Sequence, residues 1–284
     1  MTEKPKPPNS SIRSRRVSAE LRQLRTDQNM TEAQVAKALG MSASKVSRIE
    51  TGERGLTIID VANMLGLYQV PQHRRDQLLD LVRKADERGL WFAQGSGLPE
   101  LWQTLIDFER RANRIQNYEA LVVPGLLQTA DYCGAMIQGV SRAITEGELD
   151  KLVGARMARQ AILRRRDVEY LAVVSEAALQ QVIGDSSTQR RQLRRLVDEA
   201  DRPNVTIRVI PRASGAHAGL EGPFQTLDFP DEPSVIYVEN QTTCLFMEEK
   251  DDLEAYRLRL SNILGVALSP AKSVDLISAL AEQL

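Results

Sequence analysis

The stretch Thr31-Glu-Ala-Gln-Val-Ala-Lys-Ala-Leu-Gly40-Met-Ser-Ala-Ser-Lys-Val-Ser-Arg-Ile-Glu50-Thr-Gly-Glu-Arg54 reads as two short amphipathic helices joined at Gly40. Thr31, with Gln34 three residues on, is the side-chain pair of a capping box, so a helix starts there. Val35, Ala36 and Leu39 recur at helical spacing, and Gly40 supplies the left-handed residue that ends a helix without a Cβ penalty. Ser42 caps the second helix, in which Val46 and Ile49 face inward and Ala43, Ser44, Lys45, Ser47 and Arg48 are left outward, with Gly52 closing the element. Two helices across so tight a turn make a helix-turn-helix. Such a unit points at duplex DNA, because a major groove admits a helix whose N-terminal side chains read base edges.

Upstream, Val17, Leu21 and Leu24 form one helical face; downstream, Ile58, Val61, Ala62 and Leu65 form another. Four or five helices then make one bundle. From about Ser18 to Leu67 the chain resembles the DNA-binding domain of the XRE family, shared with the Cro and C1 phage repressors. The resemblance implies an ion pair between Arg25 in the first helix and Glu50 at the end of the third, both structural. It also implies that Ala43, Ser44, Lys45, Ser47 and Arg48, with Thr31, line the groove or touch phosphate. Arg48 suits guanine, Ser44 donates or accepts, Ala43 suits a thymine methyl, and Lys45 takes a base or a phosphate. Glu32 stands where the family commonly carries Gln.

Charge divides the same way. From Met1 to Arg75 there are thirteen Lys and Arg against seven Asp and Glu, an excess of six positive charges, whereas the whole chain carries −1 and the remainder therefore −7. A basic head on an acidic body fits DNA binding by the head alone. Arg13, Arg15 and Arg16 follow the Pro-rich Pro5-Lys6-Pro7-Pro8, which cannot fold by itself. Residues 1–16 are expected to form a flexible basic arm that touches phosphates or a minor groove, or else serves solubility.

At 284 residues and 42% hydrophobic content the chain has room for two globular domains. No apolar run approaches the roughly 20 residues of a membrane helix and no secretory signal is legible, so a cytoplasmic protein without a membrane partner is expected. Cys133 and Cys244 lie far apart and read as buried apolar side chains, and His73 and His217 share no metal-like spacing with other ligands, so neither metal nor cofactor is expected.

Beyond the head, Arg74 to Ala93 reads as a connecting helix, broken by Gln94-Gly95-Ser96-Gly97-Leu98-Pro99, and Glu100 to Ile115 as another with Leu101, Leu105 and Phe108 inward beside Trp102. Tyr118 to Val123 is an apolar, strand-like run ending in a Pro-Gly turn. Helices follow at 131–140, 146–165, 176–183, 187–200, 251–264 and 271–283. Short strands are expected at Val168–Val174, Val205–Ile210, Phe224–Leu227 and Val235–Val238. The expected fold is thus an all-α helix-turn-helix head, a five-helix Cro/C1-like bundle, followed by an α+β domain with a small sheet of about four strands. The expected divisions are arm 1–16, head 17–70, helical connector 71–116 and body 117–284.

A second resemblance lies in Val123-Pro-Gly-Leu-Leu-Gln-Thr129, Ala155-Arg-Met-Ala-Arg-Gln160, Ser175-Glu-Ala-Ala-Leu179, Gln192-Leu193, Pro203-Asn-Val205 and Gly222-Pro-Phe224. Over about Asn117 to Leu268 these blocks are similar, in order, to the DUF5753 domain. That likeness implies an actinobacterial regulator of development or antibiotic production, with a small DUF397-type protein as a candidate partner. Arg156, Arg159, Gln160, Glu176, His217 and Glu239 are the candidate ligand or partner residues of the body. His217 sits in a glycine-rich segment that is either a mobile lid or a plain connection. Salt-bridged helix and strand ends account for the charged members without any reaction, and no triad, P-loop or dinucleotide pattern is present, so no enzyme is expected. The function read here is a homodimeric, sequence-specific transcriptional regulator on a pseudo-palindromic site. The alternative is a protein-binding adaptor whose head has weak or lost DNA affinity.

Overall fold

The structure, a computed structural model, describes residues 11–52, 55–83, 91–94, 98–140, 144–240 and 243–284; the side chains of 91–103 and 243 are not described. The proposed contacts of residues 1–10, Glu53, Arg54, Leu101 and Trp102 therefore lie outside the described residues. The chain divides into two compact units. One is residues 1–92 with Phe246–Glu249; the other is 93–245 with 250–284.

The head contains α1 (Ile12–Asp27), α2 (Glu32–Leu39), α3 (Ala43–Glu50), α4 (Ile58–Leu67) and α5 (Gln72–Arg83). Each of the first four begins at a hydroxyl N-cap, Ser11, Thr31, Ser42 and Thr57, that accepts from a backbone amide three residues on. Thr31 and Gln34 close the expected capping box, and Gly40 ends α2 at φ 64°. Val17, Leu21, Val35, Val46, Ile49, Val61, Met64, Leu65, Leu78 and Val82 form one buried core. Leu78 and Val82 belong to α5, so this helix, read from sequence as a connector, is part of the head. The expected continuation over 84–90 lies outside the described residues. Trp91–Gln94 is a strand, β1, where the periodicity suggested continuing helix; paired aromatics at Trp91 and Phe92 suit a strand.

The body contains α6 (Leu98–Arg111), β2 (Arg114–Glu119), α7 (Ala130–Val140), α8 (Glu146–Arg159), β3 (Glu169–Ser175), α9 (Glu176–Gln180), α10 (Ser186–Ala200), β4 (Val205–Ile210), β5 (Phe224–Asp228) and β6 (Val235–Glu239). β7 (Thr243–Met247), α11 (Lys250–Val266) and α12 (Pro270–Glu282) complete the chain. The four expected strands are β3 to β6, but the sheet is larger. Six strands follow α6, and β1 extends the edge, in the order β1-β7-β6-β5-β2-β3-β4. Only the end of β2, the central strand, falls in the strand-like run expected from Tyr118, and its first two residues lie in the helix expected to Ile115; Ile115, Gln116, Asn117 and Tyr118 are all buried. A strand covered on both sides loses the period-two signal. β2, β3 and β4 are parallel, joined through α7–α8 and α9–α10, whereas β5 runs antiparallel to both β2 and β6.

One side of the sheet packs Tyr118, Val173 and Phe224 against Leu260 and Ile263 of α11. Gly219 approaches the Tyr118 ring so closely that a Cβ there would lie 2.4 Å from the phenol oxygen. Both cysteines are buried and outside any disulfide. No single helix among the described residues is long and apolar enough to cross a membrane; α11 and α12 reach that composition only as a pair bent by 66°.

Candidate functional site

In the head, α3 is fixed from behind. Val46, Ile49 and Glu50 are buried, and Glu50 receives Arg25 through Nε at 2.9 Å and Nη2 at 2.8 Å, while Arg25 Nη1 also donates to the Met30 carbonyl at 2.8 Å. The guanidinium thus ties α1, the α1–α2 turn and the end of α3 with a planar fork that lysine could not supply. The pairing raises the Arg25 pKa above its ordinary value.

With that scaffold, the first turn of α3 faces outward. Ser42, Ala43, Ser44 and Arg48 are exposed, and Ser47 is half-buried. Arg48 folds back along its own helix, Nε to the Ser44 carbonyl at 3.1 Å. Small side chains ahead of a long cation allow close approach and then a reach, which is the geometry of base reading. Thr31 is exposed at the start of α2, its hydroxyl committed to the capping box.

Two expectations change. Lys45, expected among the outward side chains, is ion-paired through Nζ to Asp60 Oδ1 at 2.6 Å, tying α3 to the first turn of α4. Arg13, Arg15 and Arg16 are not in an arm, because Ser11 caps α1 and all three lie inside the helix. Arg15 is 3% exposed and pairs with Glu248, and the Ile12 amide donates to the same carboxylate at 3.0 Å. The serine cap at position 11 was the signal that could have placed them in a helix.

In the body, a cavity of about 850 Å³ opens among α6, β2, the 122–128 turn, α7, α8, β5 and β6. The strand register builds its polar floor. Asn117 lies opposite Gln225, and Gln225 opposite Tyr237, a transverse row across β2, β5 and β6. Continuing that register by two residues sets Glu119 and Glu239 on either side of Pro223, all three lining the cavity. Side chains two apart on a strand share a face, so both rows look the same way.

The opposite wall comes from α8. Arg159 grips Glu109 bidentately, Nε to Oε2 at 2.9 Å and Nη2 to Oε1 at 2.7 Å, with both side chains buried. Arg156 donates to Gln128 Oε1 at 2.8 Å. Tyr237 donates to Glu239 Oε2 at 2.8 Å, and burial raises its phenol well above the ordinary range. Glu119 is held far less firmly: its Oε1 accepts from Asn117 Nδ2 at 3.4 Å. Burial, opposed by the Asn117 contact and Arg156 and reinforced by Glu239, pushes its carboxyl up to about 8. Val122, Leu126, Met136, Ile137 and Leu152 supply the apolar lining.

A family model described as a domain of unknown function, DUF5753, matches residues 102–279, well over half of the chain. The chain belongs to the DUF5753 family. A second model, described as a helix-turn-helix domain, matches residues 16–78, from the second turn of α1 through α2, α3 and α4 into α5. No curated protein matches the chain.

Several blocks that carried the DUF5753 resemblance hold the turn above the cavity. Gln128 Nε2 donates to the Val123 carbonyl at 2.7 Å, Gln160 Nε2 to the Gln128 carbonyl at 2.6 Å, and Gln192 Nε2 to the Leu127 carbonyl at 2.8 Å. The Tyr132 hydroxyl accepts from the Val123 amide at 3.2 Å. Side-chain amides thus satisfy the carbonyls of a turn that has no ladder to pair with. Asn204 does the same for the entry to β3, donating to the carbonyls of Leu163, Arg165 and Val168.

Of the six candidate residues in the DUF5753 domain, Arg156, Arg159 and Glu239 line the cavity. Gln160 braces the turn instead. Glu176 accepts from the Arg212 amide at 2.8 Å and from Gln180. His217 Nδ1 accepts from the Gly219 amide at 3.1 Å, which makes its segment a capped turn rather than a lid. Asn117, Glu119, Gln225 and Tyr237 were missed, because only pairing of β2, β5 and β6 brings them together.

Proposed function

We propose that the protein is a sequence-specific transcriptional regulator that places α3 of each of two copies in successive major grooves of a pseudo-palindromic site. The helix-turn-helix assignment supports DNA binding, and the observation that carries the finer reading is the exposed Ser42, Ala43, Ser44 and Arg48 face on a helix anchored by Arg25–Glu50. A single small module buries about 600–1,000 Å² on DNA, so two modules on half-sites about 34 Å apart supply the specificity one lacks. The DUF5753 domain then serves dimerisation and the sensing of an effector or partner, without catalysis, and the protein works in the cytoplasm. A neighbour of the DUF397 type is the partner to test first.

Selection of bound fragments from random duplex DNA by the full chain tests this reading. An enriched motif with two-fold symmetry supports it, and a single asymmetric half-site removes the dimer.

The Lys45–Asp60 pair favours a second reading. With that lysine held internally, the electrostatic contribution of the α3 face falls to Arg48, and an adaptor that binds protein through its DUF5753 domain would need no more. Salt titration separates the two. A DNA reader loses affinity with a log-log slope of about −0.9 per phosphate neutralised, whereas an adaptor shows no measurable affinity from which to take a slope.

A further inference from the structure

The cavity of the DUF5753 domain has a charge pattern that specifies its occupant. Arg159 is neutralised by Glu109 in a buried bidentate pair. Arg156 and Glu239 supply one charge of each sign on the lining. Glu119 is the odd acid, within electrostatic reach of Arg156, Glu239 and the neutral phenols Tyr132 and Tyr170, and it shares the lining with Arg159 and Tyr237. With Glu119 protonated the cavity is neutral, and with Glu119 ionised it carries one negative charge.

Glu119 is half-buried on the cavity lining, and the one hydrogen bond its carboxylate accepts, from Asn117, is long at 3.4 Å. Its surroundings offer space rather than a partner. The volume of about 850 Å³ lies within the range of small-molecule sites, and Val122, Leu126, Met136, Ile137 and Leu152 line it with methyl and methylene groups. Tyr237 adds aromatic surface to the floor, and Val140, 72% exposed, stands at the rim.

We propose that this cavity binds a monocationic organic amine with an apolar body, its ammonium group received by Glu119 on the Glu119–Pro223–Glu239 row and its body lying against α7 and α8. The proposal rests on the reading of the DUF5753 domain as a sensor and names the class of effector.

Binding carries a proton balance. The ammonium group displaces the Glu119 proton to solvent, the carboxylate forms the ion pair, and no bond in the ligand changes. Because this carboxyl titrates near pH 8 in the empty cavity, amine affinity should climb about tenfold per pH unit below that point and level off above it.

The test is calorimetric titration of the full chain with tryptamine and the larger tricyclic amine desipramine, beside the neutral alcohol tryptophol and the anion indoleacetate. Below pH 8, amine binding with release of about one proton, read as a difference between buffers of unlike ionisation heat, is the expected result. Glu119→Gln should abolish the proton release and weaken amine binding at least about tenfold. If that variant does not fold, Val140→Trp at the exposed rim should weaken both amines in an otherwise unchanged protein. Preference for the alcohol or the anion would overturn the amine assignment while leaving the cavity a sensor site. Failure of all four probes to bind overturns the amine assignment, and failure of any of them to change affinity for the selected DNA then counts separately against the sensor reading.

Discussion

The second helix of the helix-turn-helix, α3, and the DUF5753 cavity use the same polar residue types to opposite ends. Behind α3, Glu50 is 1% exposed at its side chain and receives three guanidinium contacts from Arg25. In the cavity, Glu119 has a contact of 3.4 Å to an amide. A buried charge that has its complement fixes a fold. One that lacks it keeps a proton and leaves binding energy for a guest. Glu50 is buried and Glu119 half-buried, and it is the partners that decide which of them is structural.

The sharpest way to break this contrast is Glu50→Ala. Leaving Arg25 without its carboxylate should destabilise the head by about 3–5 kcal/mol, read as loss of its transition in chemical denaturation of the full chain. An effect under about 1 kcal/mol would place Glu50 among ordinary surface pairs. Next in size, Gly219→Ala drives a methyl into the Tyr118 ring and should cost about 1–3 kcal/mol in the body's transition. Arg48→Ala should leave both transitions alone. It should weaken binding to the selected site by about 1–3 kcal/mol and relax preference at one base position, checked by repeating the selection with the variant.

Glu119→Gln sharpens the contrast through pH. An acid whose folded pKa is raised from 4.5 to about 8 stabilises the folded state below 4.5, and that stability is lost as pH rises through 8. Denaturation midpoints of the native chain should therefore fall over that window, and those of Glu119→Gln should fall less. The smallest change belongs to Thr31→Ala, which removes the α2 capping box at about 1 kcal/mol without touching the core.

The head was legible because its information is local. Thr31, Gln34, Gly40 and Ser42 mark their boundaries within twelve residues, and caps act on the nearest amides whatever the rest of the chain does. Lys45 was misplaced because its partner, Asp60, lies fifteen residues away at the start of another helix. In the body, the β-branched and aromatic stretches of β3 to β6 announced themselves, but β2, Arg114-Ile-Gln-Asn-Tyr-Glu119, carries two apolar residues among polar ones and offers no such signal. With β2 unseen, the pairing of Asn117 with Gln225 and of Gln225 with Tyr237 could not be anticipated, and the cavity's floor stayed hidden. The arginines of α8 were found by composition, their opposing carboxylate by topology alone.

The assignment of Phe246–Glu249 to the N-terminal unit makes the head discontinuous in sequence. Its first helix is completed by Glu248, some 230 residues downstream, which accepts the Ile12 amide and pairs with Arg15. Cutting the chain anywhere between the helix-turn-helix and that glutamate removes a piece of the head and leaves Arg15 sealed in without its counter-charge. The reader of DNA is therefore finished only when most of the protein has been synthesised, and a nascent chain released early carries a recognition helix on an incomplete support.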